Sequence, residues 1–309
     1  MSSYRRSVLA GPRRSRIDTA EVPEPGPAQI LVRVLANGVC ASELPGWQAG
    51  PAGPEPVALG HEPVGRVVAV GAGVRTPAVG DLVTGRLGSS FAELVVARAQ
   101  DAVPVPPGLS PAAAVGEPLG CVVEAVRRSR VDVGDRVAVV GLGFMGLCLL
   151  QVLATSPVAE LVAVDPRQQA RERAVHYGAT GAHGTGIAGQ FDAVFEVTGV
   201  PAGLDLATRL TREHGTLSIV GYHQGARQVD MQAWNFKALE VVNGHVRDPR
   251  RLADSTARGL ALVAAGRIAY PELFTHWYPL ERVDDAFADL AAKPAGFIKA
   301  AVLFPDESA

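Results

Sequence analysis

Cysteine is scarce in this chain: Cys40, Cys121 and Cys148 are the only three among 309 residues. Three cannot frame a disulfide-stapled fold, and a chain of this length fills the cores of two domains without one. A reduced, cytoplasmic setting is expected. Charge of one sign is lacking too. The formal net charge is −2, with acids and bases mixed along the chain, so no basic stripe marks a nucleic-acid partner. The longest apolar run, Val137 to Leu153, is broken by three glycines, and no stretch reaches membrane-spanning length. At the N-terminus Arg5, Arg6, Arg13, Arg14 and Arg16 have no apolar segment beside them that would make a signal peptide. They are expected to form a solvated basic tail leading into a strand.

Glycine and proline, by contrast, are plentiful, at 34 and 23. From Val8 to Gly108 they separate short β-rich runs such as Gln29–Leu35, Gly65–Val70, Asp81–Thr84 and Phe91–Val96. That spacing predicts an irregular all-β domain. Leu109–Gly116 reads as a short helix capped by Ser110, with Pro111 at its first position. From about Leu119 strands and helices alternate. Strands are predicted at Val137–Val140, Leu161–Val164, Ala193–Val197, Thr216–Val220 and Leu239–Val242. Helices are predicted at Phe144–Thr155, Gln168–Tyr177 and Ala202–Arg209. The alternation implies an α/β domain with a doubly wound parallel sheet. After Pro249 two helices, Leu252–Ala265 and Val283–Ala292, and a strand, Ile298–Phe304, are too few for a third domain. They are expected to return to the first, giving residues 1–118 with 252–309 as one domain and 119–251 as the other.

The first chemical signal is Gly141-Leu-Gly143-Phe144-Met145-Gly146, entered from the apolar strand Val137–Val140 and left by an apolar helix. The first glycine permits a tight turn, the second lets backbone approach a pyrophosphate, and the third lets helix pack on strand. The helix N-terminus then offers N–H groups and a positive dipole end to the phosphates. About 20 residues on, Glu160–Asp165 reads as a buried strand ending in a carboxylate, where an acid meets the adenine ribose. Asp165 favours NAD over NADP. Arg167 is available to attract a 2′-phosphate or to stack on adenine. Val197–Gly199 and Val220–Tyr222 end later strands at the carboxyl edge of the sheet, where ligands bind. Their backbone around Val197, Thr198, Val220, Gly221 and Tyr222 is expected to line the nicotinamide.

A second constellation lies mainly in the β-rich half: Gly38-Val-Cys40-Ala-Ser42-Glu43, then Gly60-His61-Glu62, then Glu117-Pro-Leu. A thiolate, an imidazole and two carboxylates suit zinc. Each residue also has an ordinary role, Cys40 as a small hydrophobe, His61 in a loop and the two glutamates in turns. Residue types alone leave the two readings level. Cys148 reads as core packing, and so does Cys121.

These segments, in this order and ahead of the glycine loop, resemble the zinc-dependent medium-chain dehydrogenase/reductase family, most of all its sorbitol and threonine dehydrogenase branch. The resemblance covers nearly the whole chain. It implies a GroES-like irregular β-barrel catalytic domain and a Rossmann nucleotide domain. It also implies zinc ligated by Cys40 and His61, with Glu62 or Glu117 completing the protein shell. Ser42 would receive the alcohol proton, Glu43 would orient His61, and Lys299 would stand near the pyrophosphate unless it is a solvent-facing strand residue. Two departures stand out. The region in which a relay histidine often occurs here reads Leu44-Pro45-Gly46, and the four-cysteine lobe between Thr84 and Phe91 is replaced by Gly85–Ser90. One catalytic zinc per chain and no structural zinc are therefore expected.

The chemistry implied is NAD-linked oxidation of a secondary alcohol of a polyol, cyclitol, sugar or amino alcohol. Trp47, Tyr222, His223, Trp234, Asn235 and Lys237 suit a small hydroxylated substrate, or else pack loops and subunit contacts. A homo-oligomer, dimer or tetramer, is expected through pairing of Leu239–Val246 across a two-fold axis. The rivals are a zinc-free quinone or alkene reductase on the same fold and a non-catalytic NAD(H)-binding protein.

Overall fold

In the computed structural model, which describes residues 3–305, the β-rich start of the chain forms β1 (Ser3–Gly11), β2 (Arg14–Glu21) and β3 (Gln29–Gly38). A short helix α1 (Leu44–Ala49) follows, then β4 (Pro63–Val70), β5 (Leu82–Thr84), β6 (Leu94–Arg98) and β7 (Val103–Pro104). After α2 (Glu117–Arg128) come β8 (Arg136–Val140), α3 (Phe144–Leu153), β9 (Glu160–Val164), α4 (Gln168–His176) and β10 (Gly181–His183). β11 (Phe191–Glu196), α5 (Pro201–Leu210), β12 (Thr211–Ile219), α6 (Met231–Phe236) and β13 (Glu240–Asn243) complete the alternating region. The chain ends with α7 (Pro249–Ala264), β14 (Phe274–Pro279), α8 (Val283–Ala292) and β15 (Lys299–Leu303).

Two compact units result. The first comprises the residues to Gly120, Asp248–Ala264 and those from Pro271 on; the second comprises Cys121–Arg247 and Ala265–Tyr270. The short return of Ala265–Tyr270 to the second unit has a local cause. Ala269 N–H donates to Oε1 of buried Gln151 on α3 at 2.6 Å, and the fully buried Tyr270 ring packs 6.0 Å from Phe144.

In the first unit one sheet runs β14-β15-β3-β4-β5-β7, with β6 also on β3. Its core gathers Ile30, Val32, Val34, Val67 and Val302 from alternating strand positions, with Phe91 from the segment before β6 and Phe287 from α8. The arginine-rich N-terminus, expected as a tail, is an antiparallel hairpin of β1 and β2. Val8 and Leu9 are buried, while Arg5 is held at the surface by Glu93 and Glu281 at 2.7 and 2.6 Å. Charge dominated the reading of that segment; two buried apolar residues decide its structure. The helix expected over Leu109–Gly116 is a single 3-10 turn, Pro111–Ala113, and Ser110 makes no side-chain cap.

The second unit is a six-stranded sheet in the order β10-β9-β8-β11-β12-β13, with every pairing parallel. From β8 the chain winds one way through β9 and β10, then reverses through β11, β12 and β13. The reversal between β8 and β11 is a topological switch point, where such sheets bind ligands. Among the described residues no helix is long and apolar enough to cross a membrane.

Candidate active site

Strand register brings the first cluster together. β3 pairs antiparallel with β4, Asn37 opposite Pro63, and with β15, Gly38 opposite Ala301. The end of β3 therefore lies beside the start of β4 and the start of β15. Cys40 just past β3, His61 and Glu62 just before β4, and Lys299 opening β15 converge at one spot. Gly38 N–H donates to Glu62 carbonyl at 3.1 Å and Val39 N–H to Ala300 carbonyl at 2.9 Å, which fastens the three segments. Thr84 links the Glu117 segment to them: its hydroxyl donates to Pro63 carbonyl at 2.7 Å and accepts from Gly116 N–H at 2.9 Å.

Ligand atoms of Cys40, His61 and Glu62 all lie within 4.8 Å of one another. Glu117 is buried at the start of α2 but stands outside this trio. Glu43 accepts Gly60 N–H at 2.7 Å and lies 3.3 Å from His61 Nδ1, so the glutamate reaches the imidazole. Ser42 donates to Cys40 Sγ at 3.2 Å. Cys121 is half-buried and outside the trio, and Cys148 is buried in α3. None of the three cysteines is in a disulfide.

The trio fits a zinc ion. One oxygen of the buried Glu62 carboxylate accepts a hydrogen bond from Lys299 Nζ at 3.0 Å. The other, Oε2, is 2.7 Å from the same ammonium but receives no aligned hydrogen bond, which leaves a buried lone pair for a cation. A methyl group at Gly38 would come within 1.9 Å of that oxygen, so only glycine leaves room for the carboxylate. Charges of both signs support one another in the cluster. Burial opposes charge on His61, yet its contacts with Cys40, Glu43 and Glu62 raise its pKa to about 11. Burial also opposes charge on Glu62, and the neighbouring Lys299 and His61 hold its carboxyl below the usual range nonetheless. Glu117 goes the other way, raised by burial and by repulsion from Glu62. Soft sulfur, imidazole nitrogen and carboxylate oxygen with convergent lone pairs are zinc donors.

Lys299 is where the expectation and the structure part. It is not a solvent-facing strand residue: it is 4% exposed and its ammonium pairs with Glu62. A lysine at the first position of a strand gives no sequence signal of its partner, because the partner is 237 residues away in the chain.

In the second unit the glycine loop has the conformation its spacing predicts. Gly141 has φ +101°, and its N–H donates to Val164 at 2.9 Å. A methyl at Gly146 would meet Gly141 oxygen at 1.9 Å, whereas one at Gly143 would meet nothing within 4 Å. The middle glycine thus borders open space. Gly143 caps α3 without a side chain, so no capping group covers the first-turn N–H groups. Phe144 is buried and Met145 half-buried. Asp165, just past β9, accepts Leu142 N–H at 2.9 Å and so braces the loop. Arg167, treated by its type as a rival to Asp165, is its partner: Nε and Nη2 both reach the carboxylate at 2.9 Å. Burial raises the Asp165 pKa, but these bonds outweigh it and hold the carboxyl below its usual value.

Val197 and Thr198 follow β11, and Val220, Gly221 and Tyr222 follow β12, both at the carboxyl edge. The ring of Tyr222, half exposed, packs edge-on to His245 at 5.9 Å. Sequence reasoning passed over Glu196, the fully buried last residue of β11, whose signal was an acid closing an apolar run. Three proposed substrate residues are structural. Trp47 is core, stacked 5.5 Å from Phe287 with its N–H on Asp284. Trp234 donates to Thr208 at 3.1 Å. Lys237 caps the C-terminal end of α5, donating to the carbonyls of Thr208, Arg209 and Thr211 at 2.9, 2.8 and 2.7 Å.

Comparison with known proteins finds relatives over nearly the whole chain. Residues 26–107 match the alcohol dehydrogenase GroES-like domain. A Mycobacterium tuberculosis protein named "Probable zinc-binding alcohol dehydrogenase" is 29% identical, over 93% of this chain and 85% of its own. Sorbitol dehydrogenase of Gallus gallus is 28% identical, over 88% of this chain and 89% of its own. Among solved structures, a Sinorhizobium meliloti protein with NADP bound superposes with a TM-score of 0.85 at 25% identity, covering 98% of this chain and all of that one. With a GroES-like unit, a Rossmann sheet and relatives over nearly its whole length, the chain is similar to the zinc-binding alcohol and sorbitol dehydrogenases.

Proposed function

We propose that this protein is an NAD-linked dehydrogenase oxidising a secondary alcohol of a polyol, cyclitol, sugar or amino alcohol to the ketone. The observation that carries the reading is the convergence of Cys40, His61 and Glu62 in a chain that also forms the Gly141–Gly146 loop. Cys40, His61 and Glu62 would hold one zinc, with Glu117 close enough to act on their field. Bound zinc supplies Lewis acidity that lowers the pKa of an alcohol oxygen. The residues around it do the rest. Glu43 would orient the His61 ring, the Gly38 cradle seats Glu62, and Ser42, which donates to Cys40, would accept the alcohol proton while passing its own on to water or the cofactor ribose. Orientation of this kind is the protein's main contribution to hydride transfer.

In the second unit the α3 N-terminus would take the pyrophosphate, Asp165 the adenine ribose, and the turns at Val197–Thr198 and Val220–Tyr222 the nicotinamide. Asp165 favours NAD, its carboxylate disfavouring a 2′-phosphate, although the Sinorhizobium meliloti relative was solved with NADP. No cysteine stands between Thr84 and Phe91, so a single zinc per chain is part of the proposal. β13 is an unpaired sheet edge with Val241 exposed, which supports a homo-oligomer built on that strand. The absence of disulfides fits a reduced cytoplasmic setting.

The test is a panel of polyols, cyclitols, sugars, amino alcohols and simple alcohols with NAD and NADP, following nicotinamide reduction in wild type and Cys40→Ser. Zinc-dependent reduction of NAD by secondary alcohols, lost in the variant, is expected. Activity only on quinones or alkenes, or NADH binding without any turnover, would replace the reading.

A further inference from the structure

The carboxyl ends of β11 and β12 carry a buried polar network that the proposed chemistry leaves without a task. Oε1 of Glu196 accepts the backbone N–H groups of Thr198 and Gly199 at 2.7 and 2.9 Å, and also the Thr198 hydroxyl. Oε2 lies 2.8 Å from Nε2 of His223. On the far side of that ring, Arg227 Nε donates to Nδ1 at 3.1 Å. Partner chemistry assigns the tautomer. A guanidinium only donates and a carboxylate only accepts, so the imidazole is neutral with its proton on Nε2. A charge of each sign is thus joined through a neutral ring.

What the network joins is two turns in direct backbone contact. The N–H groups of Val220 and Gly221 both donate to the Glu196 carbonyl at 2.8 Å. A methyl at Gly221 would come 2.3 Å from Gly199 nitrogen and 2.6 Å from Glu196 Oε2. At Gly199, where φ is +70°, it would come 2.8 Å from Tyr222 oxygen. Backbone contact and hydrogen bonds together set the spacing of the turns, because a side chain at either glycine would collide with the other turn. Glu196 organises the first turn, and His223, carried by the second, is the only side chain of that turn seen bonding back to it.

We propose that His223 is a positioning residue for the nicotinamide end of the cofactor. By bridging Glu196 and Arg227 it holds the Val197–Gly199 and Val220–His223 turns at one separation. The inference rests on the reading that these turns line the nicotinamide. It predicts a division between the two ends of the cofactor, since the adenosine end belongs to Asp165 and the glycine loop.

The experiment compares NADH and 5′-AMP binding by wild type, His223→Ala and His223→Gln, with thermal melting of each. Removing an outer-shell partner that orients a metal ligand typically costs about 10–100-fold, and a positioning group behind a cofactor surface is expected to act on the same scale. His223→Ala is expected to weaken NADH by that factor and leave 5′-AMP unchanged. His223→Gln, whose amide can donate to Glu196 and accept from Arg227, is expected to restore most of the loss. NADH binding unchanged in His223→Ala would overturn the inference, and so would parallel loss of NADH and 5′-AMP, or a glutamine variant as weak as alanine. If wild type binds 5′-AMP but neither NADH nor NADPH, the functional reading fails and this inference with it. Wild-type NADH binding that survives His223→Ala removes only the inference.

Discussion

The glycine loop and the Cys40 cluster are both built for charge, and they are built in opposite ways. The loop is six consecutive residues and works through backbone: a positive φ at Gly141, open space at Gly143, and contact closer than any side chain allows at Gly146. The cluster works through side chains drawn from the ends of three strands and brought together only by sheet register. Its members depend on one another's charge. Lys299 is buried because Glu62 is there, and Glu62 keeps its charge because Lys299 is. A backbone site tolerates changes in its neighbours; an ionic one does not.

That contrast is sharpened first at Cys40. Cys40→Ser is expected to empty the cluster of zinc and to cost alcohol oxidation roughly a thousandfold, the equivalent of about 4 kcal/mol of lost charge stabilisation. NADH binding by the second unit should be unaffected, and titration calorimetry checks it. Next is Lys299→Met, which strands a buried carboxylate. Breaking a buried pair in this way costs about 3–5 kcal/mol. Chemical denaturation of zinc-free protein should show that loss, and added zinc should recover part of it, because a metal cation replaces the missing ammonium. A variant as stable as wild type would mean that the ionic dependence is absent.

The loop answers to shape instead. Gly146→Ala forces a methyl against the Gly141 carbonyl, and overpacking of this kind costs about 1–3 kcal/mol. NADH affinity should fall while zinc content stays at the wild-type level, as elemental analysis would show. The smallest effect is at Asp165. Its folded pKa lies below the unfolded value of about 3.9, so its contribution to stability is complete above that pH and is lost as pH falls through the folded value. Asp165→Asn should flatten that acid limb in a series of melts and leave stability at neutral pH nearly constant in slope.

The same contrast explains what could be read from the sequence. The Rossmann region was legible because each part is local: α3 begins at Phe144 and α4 at Gln168, both as the apolar pattern predicts. Cys40, His61 and Glu62 were recognisable as metal donors by type, but only β3–β4 pairing makes them neighbours. Lys299 was misplaced because its partner is distant in the chain. Trp47 and Lys237 were left open between two roles because an amphipathic side chain at a loop suits a ligand and a core equally well. The former stacks on Phe287, and the latter donates to three carbonyls at the C-terminal end of α5. The brace of Asp165 by Arg167 was hidden for a different reason: two opposite charges two residues apart were weighed as competitors for the cofactor.

The most direct measurement is zinc content of the purified wild-type protein beside Cys40→Ser, with secondary-alcohol oxidation followed in the same samples. About one zinc per chain in wild type, none in the variant, and activity that tracks the metal are predicted. Zinc-free wild-type protein oxidising secondary alcohols at full rate would contradict the account.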